Sequence, residues 1–390
     1  MEWKKLFQKI AVNAEEHFDK LKNQLQERLG GYGEIMILPY YGFGNTKSIY
    51  LKGRVLENKN IKTAESQDSI WENLVASYKR MNSNELPFVK IKVSFQGITQ
   101  ELITDEEGYF TVDISTEDNF IADNHWVEIH FELLEVKDKE GNEIKANAIG
   151  KILLLDEQVS YGIISDVDDT ILQTKATELT KAIQLTFMRN ARTRLPFKGV
   201  SAFYQALHQG KEGKEFHPIF YVSSSPWNLY DFLKDFCEVR HIPQGVFFLR
   251  DLGISQDKFL QSSHDDHKSA QIERIMQMYP SMQFILIGDS GQHDPEIYLK
   301  AIKDYPQRIL AVYIRDVSEK ERDERVKAIV ADAQALGVEM VFTEDTLQAG
   351  KHAVKHSFIS ESALLLIEQD TDYQEHSEFD FPILSKFIRE

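Results

Sequence analysis

The sequence predicts an α/β protein: a doubly wound parallel sheet with a minimal cap, preceded by an all-β sandwich domain and a leading helix. Three patterns carry that expectation. Apolar residues recur every three or four positions over 1–30, then every second position over much of 35–155. After 156, short unbroken apolar runs alternate with helix-like segments, as buried parallel strands and their crossovers do. The 390 residues exceed what one core usually holds, so the expected boundaries are 1–34 for the helix, 35–155 for the β domain and 156–390 for the α/β domain.

In the leading segment Trp3, Phe7, Ile10, Ala14, Phe18, Leu21, Leu25 and Leu29 form one stripe, and Gly30-Gly31 supplies a stop. In the β domain Val127, Ile129, Phe131 and Leu133 alternate with Glu128, His130 and Glu132, a strand with one wet face. Similar strands are expected at Ile49–Val55, Val89–Phe95 and Tyr109–Ile114, with turns at Gly42-Phe43-Gly44-Asn45 and Glu140-Gly141-Asn142. A polar stretch at 57–86 carries a short helical pattern over Ile70–Met81. In the last domain apolar runs end at Ser165, Ser223, Leu249, Gly288 and Arg315, and a weaker one spans Val338–Phe342. Ligands of such sheets sit beyond the carboxyl ends of the strands, so the polar residues after each run are the candidates for chemistry.

Composition narrows the function classes. With 62 acidic and 45 basic residues the net charge is −17, which argues against general nucleic-acid binding. The single cysteine, Cys237, excludes an intrachain disulfide. Charges interrupt the first 21 residues every few positions, and no stretch has the ~18 apolar residues of a membrane span. The expectation is a soluble, cytoplasmic protein.

The first apolar run ends in Asp166-Val167-Asp168-Asp169-Thr170. Three carboxylates in four residues repel one another, and a hard cation such as Mg2+ would relieve the repulsion; a solvated acidic turn would carry the same letters. Asp166 and Asp168, two apart, could face one side in extended geometry. After the second run, Ser223-Ser224-Ser225-Pro226 reads as the start of a helix, with Ser225 as N-cap and Pro226 as first residue. Such an end offers hydroxyls and N–H groups to phosphate, or serves as a plain cap. Lys268 follows His264-Asp265-Asp266-His267 on a helix whose buried stripe is Ile272, Ile275, Met276 and Tyr279. A helix start explains those acids as well as a metal would. Gly288-Asp289-Ser290-Gly291-Gln292-His293-Asp294 again sets carboxylates after an apolar strand.

Each signal is modest, but their order is specific. Asp-x-Asp-x-Thr, a strand-end Ser, a Lys and Gly-Asp-x-x-x-x-Asp resemble the four motifs of the haloacid dehalogenase superfamily. The wording Ile164-Ser165-Asp166-Val167-Asp168-Asp169-Thr170-Ile171, Tyr221-Val222-Ser223-Ser224-Ser225-Pro226-Trp227 and Leu286–Glu296 is similar to the catalytic domain of the actin-patch-associated phosphatidate phosphatase family. The resemblance spans about 156–345, and the β-rich part before it also looks like that family. Members known for actin-patch work extend into proline-rich tails, whereas this sequence ends at Glu390, so the resemblance bears on chemistry and not on a cytoskeletal role.

The resemblance implies a magnesium-dependent phosphatase in which Asp166 attacks phosphorus, forming an aspartyl-phosphate, and Asp168 serves as acid and then base. It implies Mg2+ held by the Asp166 carboxylate, the Asp168 carbonyl and Asp289, with Asp294 orienting a metal-bound water or Lys268. Phosphoryl oxygens would meet Ser223, Ser224, Lys268 and Thr170. The short insert at 171–200 is where this superfamily places caps, and it holds six cations, Lys175, Lys181, Arg189, Arg192, Arg194 and Lys198, against Glu178 alone. Leu179, Ile183 and Phe187 form an apolar stripe beside them. Cations flanking an apolar face suit an anionic membrane surface or a bulky phosphate ester, unless the stripe packs inward and the cations are solvated. The expected substrate is a lipid phosphomonoester such as phosphatidate. A soluble or polymeric phosphoester and a scaffold with little turnover are the alternatives.

Overall fold

A computed structural model describes residues 34–58, 85–122, 124–137, 140–156, 159–167, 199–250, 264–317, 320–343 and 345–376. The leading helix, the helical pattern at Ile70–Met81, the insert with its basic island, and Asp168 and Thr170 all lie outside the described residues. The chain falls into two compact units that meet in sequence at Asp156 and Glu157, with Asn228–Phe232 grouped with the first.

In the first unit eight strands join in one hydrogen-bonded set: β1 (Glu34–Pro39), β2 (Gly42–Gly44), β3 (Ser48–Asn58), β4 (Lys90–Phe95), β5 (Ile98–Ile103), β6 (Tyr109–Ser115), β7 (Trp126–Leu134) and β8 (Asn147–Leu154). Their order is β1-β3-β2-β8-β7-β4-β5, with β6 on β3, and every pair is antiparallel except β2 with β8. The alternation in β7 has its expected result: Ile129, Phe131 and Leu133 are buried and Glu128, His130 and Glu132 exposed. Each such apolar side chain contributes about 1.5–3 kcal/mol by leaving water. They share one core with Ile49, Leu51, Ile91, Val93, Val112 and Ile152.

One expected turn is a strand instead. Gly42–Gly44 is β2, with Phe43 buried between β3 and β8, and the turn begins only at Asn45, whose Oδ1 accepts from the Lys47 and Ser48 amides at 2.8 and 2.9 Å. The glycines admit close packing: a Cβ on Gly42 would lie 2.4 Å from Ile152 Cδ1.

Among its described residues the second unit holds six strands, β9 (Tyr161–Asp166), β10 (Ile219–Pro226), β11 (Val246–Arg250), β12 (Gln283–Asp289), β13 (Ile309–Arg315) and β14 (Glu339–Thr343). All neighbours pair parallel, in the order β11-β10-β9-β12-β13-β14. Each apolar run of the sequence becomes one of these strands, and Phe284, Ile285 and Leu286 have no exposed surface, which is why the runs are unbroken. The helices are α1 (Val200–Gln209), α2 (Tyr230–Val239), α3 (His264–Met278), α4 (Asp294–Asp304), α5 (Lys320–Ala335), α6 (Thr346–Lys355) and α7 (Glu361–His376). From β9 the chain builds outward to β11 on one side and then, from β12, to β14 on the other. That reversal places a crevice at the carboxyl ends of β9, β10 and β12. The expected helix start at Pro226 is corrected: Pro226 ends β10, a 3-10 turn covers Trp227–Leu229, and α2 begins at Tyr230.

Candidate functional site

The parallel register brings those predicted residues that are described to one end of the sheet, where its strands terminate. Asp166, last in β9, pairs with Val222, so Ser223 lies one residue beyond it on β10. Asp289 is the last residue of β12 on the other side of β9. Lys268 enters from the first turns of α3 and Asp294 from the first position of α4.

These side chains form one buried cluster. Lys268 Nζ lies 2.8 Å from Asp166 Oδ1 and 2.7 Å from Asp294 Oδ1, and it donates to Gln292 Oε1 at 3.2 Å. The side chains of Lys268 and Asp166 are each 4% exposed and that of Asp294 is wholly buried, so Lys268 is not the solvated helical charge that its residue type alone suggests. Burial by itself would lower the Lys268 pKa, but the two carboxylates override it and hold it above the usual ammonium value. The amine is a fixed cation at physiological pH.

Asp294 is engaged through both oxygens, since Oδ2 accepts from the Asp289 amide at 3.2 Å. Asp289 Oδ1 accepts from the Gly291 and Gln292 amides at 2.7 and 3.0 Å, which ties the loop back on itself. Gly288 permits the arrangement: a Cβ there would sit 2.5 Å from Asp294 Oδ2.

Carboxylate oxygens of Asp166, Asp289 and Asp294 lie within 4.8 Å of one another. Lys268 pairs with two of these three acids, and an all-oxygen donor set of this kind fits a hard divalent ion such as magnesium. On β10, Ser223 is fully buried and its Oγ accepts from the Ser225 amide at 2.9 Å. Ser224 Oγ is buried and makes no hydrogen bond to any described residue, so it is available to a ligand oxygen.

Two supports were not visible in the sequence. Ser165 Oγ donates to the Asp166 carbonyl at 2.8 Å and lies 2.6 Å from the Tyr204 hydroxyl, which therefore donates to Ser165. Arg322 on α5 clamps the Asp289–Asp294 loop: it donates to the Ser290 and Gln292 carbonyls at 3.1 and 2.7 Å and makes a bidentate pair with Glu296 at 2.7 and 2.8 Å. Only tertiary proximity marks Tyr204 and Arg322, because neither lies in a motif. The acid cluster His264-Asp265-Asp266-His267 begins α3, as a helix start would.

Comparison with known proteins fits this geometry. Residues 161–316 match the family described as "Phosphatidate phosphatase APP1, catalytic domain". The chain is 32% identical to Phosphatidate phosphatase APP1 of Saccharomyces cerevisiae over 163 residues, which is 42% of this chain and 27% of that protein. It is 26% identical to an uncharacterized protein of Schizosaccharomyces pombe over 264 residues, 66% of this chain and 42% of that one. The chain thus spans less than half the length of either relative. Among solved structures, a carbohydrate acetylesterase from Xanthomonas citri aligns at TM-score 0.24 and 10% identity, over 75% of this chain and 72% of its own, a likeness too slight to bear on the fold. The motif-bearing part of the α/β unit, from Tyr161 to Asp316, is accordingly similar to the APP1 catalytic domain.

Proposed function

We propose that this protein is a magnesium-dependent phosphatase acting through Asp166, with phosphatidate, or a similar lipid phosphomonoester, as substrate. The observation that carries the proposal is the buried Asp166–Lys268–Asp294 chain, set beside Asp289 and the Ser223-Ser224 hydroxyls inside the segment that matches the APP1 catalytic domain. The strand order supports reading the α/β unit as a haloacid dehalogenase fold, and the shared core of β1–β8 supports reading the first unit as a sandwich.

Asp166 is the nucleophile in this account. Lys268 holds its carboxylate ionised and aimed, and Ser165 fixes the backbone that carries it. Attack on phosphorus forms an acyl-phosphate at Asp166 and releases the alcohol, which takes a proton from Asp168; water then cleaves that bond, giving its proton to Asp168 and freeing phosphate. Lys268, Ser223 and Ser224 meet the phosphoryl oxygens as charge builds on them. Asp166 and Asp289 would hold Mg2+, whose role is to neutralise phosphoryl charge, while Asp294, already committed through both oxygens, positions Lys268 and Asp289. The likeness to the APP1 catalytic domain and the basic, apolar insert at 171–200 support a lipid substrate, and the insert also suits peripheral contact with an anionic membrane. Among the described residues no helix is long and apolar enough to cross a bilayer.

Hydrolysis of p-nitrophenyl phosphate tests the chemistry apart from the lipid. Release should require magnesium and fall at least ~10³-fold in Asp166→Asn. Turnover that survives this change would remove Asp166 from its role.

A further inference from the structure

A second cluster lies at the opposite end of the sheet from the carboxylates. Glu339 is the first residue of β14, the edge strand, whereas Asp166 and Asp289 are the last residues of β9 and β12. Helix α6 returns from the carboxyl end of β14 and brings His352 and His356, four apart and so on one face, over Glu339. His352 Nε2 lies 2.8 Å from Glu339 Oε2 and His356 Nε2 3.3 Å from Glu339 Oε1. The two imidazoles overlap, with centroids 4.3 Å apart. One ligand atom from each of the three residues falls within 4.8 Å of the others.

We propose that Glu339, His352 and His356 form a site for a divalent transition-metal ion, zinc by donor type, that fastens the end of α6 to the edge strand. Two imidazole nitrogens and one carboxylate are borderline donors that favour zinc over magnesium. The outer shell is present as well. Tyr313 Oη lies 3.0 Å from His352 Nδ1 and can accept from it as readily as donate, so the ring can turn its Nε2 lone pair to a metal without losing its support. The C-terminal carbonyls of α6 add negative potential at the same place. Exposure of 11% at His352, 31% at His356 and 47% at Glu339 leaves the open side to water. Lys355, with Nζ 3.6 Å from Glu339 Oε1, compensates the carboxylate in the absence of an ion and must swing aside for one, which its 68% exposure allows.

Tag-free full-length protein, held in excess magnesium to fill the oxygen site, can be titrated with Co2+ and followed by its visible absorption. The expected result is one set of intense bands per chain, displaced by Zn2+, lost in His356→Gln and Glu339→Gln, and weakened about 10-fold or more in affinity in Tyr313→Phe. Phosphatase activity should be unchanged in His356→Gln, which also reports that the variant is folded. Absence of bands, or bands that persist in folded His356→Gln and Glu339→Gln, would overturn the site and leave a purely ionic His–Glu–Lys cluster.

Discussion

Lys268 Nζ stands 2.8 Å from Asp166 Oδ1 with both side chains almost wholly out of water, although they come from α3 and β9, more than a hundred residues apart in the chain. A charge pair this deep is costly to assemble and costlier to break. Replacing Lys268 by Met should lower activity at least ~10²-fold and destabilise the protein by about 3–5 kcal/mol, since Asp166 and Asp294 lose their cation. Magnesium should recover part of the stability but not the rate. Urea unfolding with and without magnesium, beside a phosphate-release assay, checks both parts.

Gly288 controls the same cluster from the backbone. In Gly288→Ala the new methyl meets Asp294 Oδ2 at 2.5 Å, and Asp294 must withdraw from Lys268 and from the Asp289 amide. The expected loss is about 10²-fold in kcat with about 1–3 kcal/mol of stability.

Arg322 holds the loop from outside. Arg322→Lys keeps the charge but loses the forked pair with Glu296 and the paired carbonyl contacts, so kcat should fall about 10-fold while stability drops by only about 1–2 kcal/mol. A loss of stability with kcat unchanged would make the clamp purely structural.

His217 gives the fold a dependence on pH. It is buried, stacks on Tyr161 with centroids 3.7 Å apart, and has its pKa lowered by that burial, although Glu215 and the Tyr161 carbonyl pull the other way. The unfolded chain binds a proton there more readily than the folded one, so stability is full above the ordinary imidazole pKa of about 6.5 and declines as pH falls below it. His217→Gln should flatten part of that decline in denaturant titrations between about pH 6.5 and 5.

Cys237 should be silent in the native protein. It is buried, and burial pushes its thiol pKa up to about 12, so aromatic disulfide reagents should label it only on unfolding.

The α/β unit was legible because its strands are buried on both faces and a buried polar cluster sits at their ends. All six apolar runs are strands, and Asp166, Ser223, Lys268, Asp289 and Asp294 stand where the motif order puts them. The β unit was harder to read. β5 is an edge strand whose half-buried side includes Gln100 and whose exposed side includes Ile103, so its residue types do not alternate although its burial does, and the glycines of β2 look like a turn because the sequence does not reveal how closely Ile152 approaches. Pro226 reads as a helix start in one dimension, yet it is the last residue of β10, paired with Arg250 of β11. Tyr204, Arg322 and the Glu339–His352–His356 cluster depend on contacts between distant segments, which no local pattern records.

The central claim is that this cluster removes phosphate from phosphatidate. The most direct measurement is phosphate release from phosphatidate in detergent mixed micelles, with and without magnesium, for wild type and Asp166→Asn. The account predicts magnesium-dependent release in the wild type that is lost in the variant. A wild type inert toward phosphatidate, yet active through Asp166 on p-nitrophenyl phosphate, would contradict the lipid assignment.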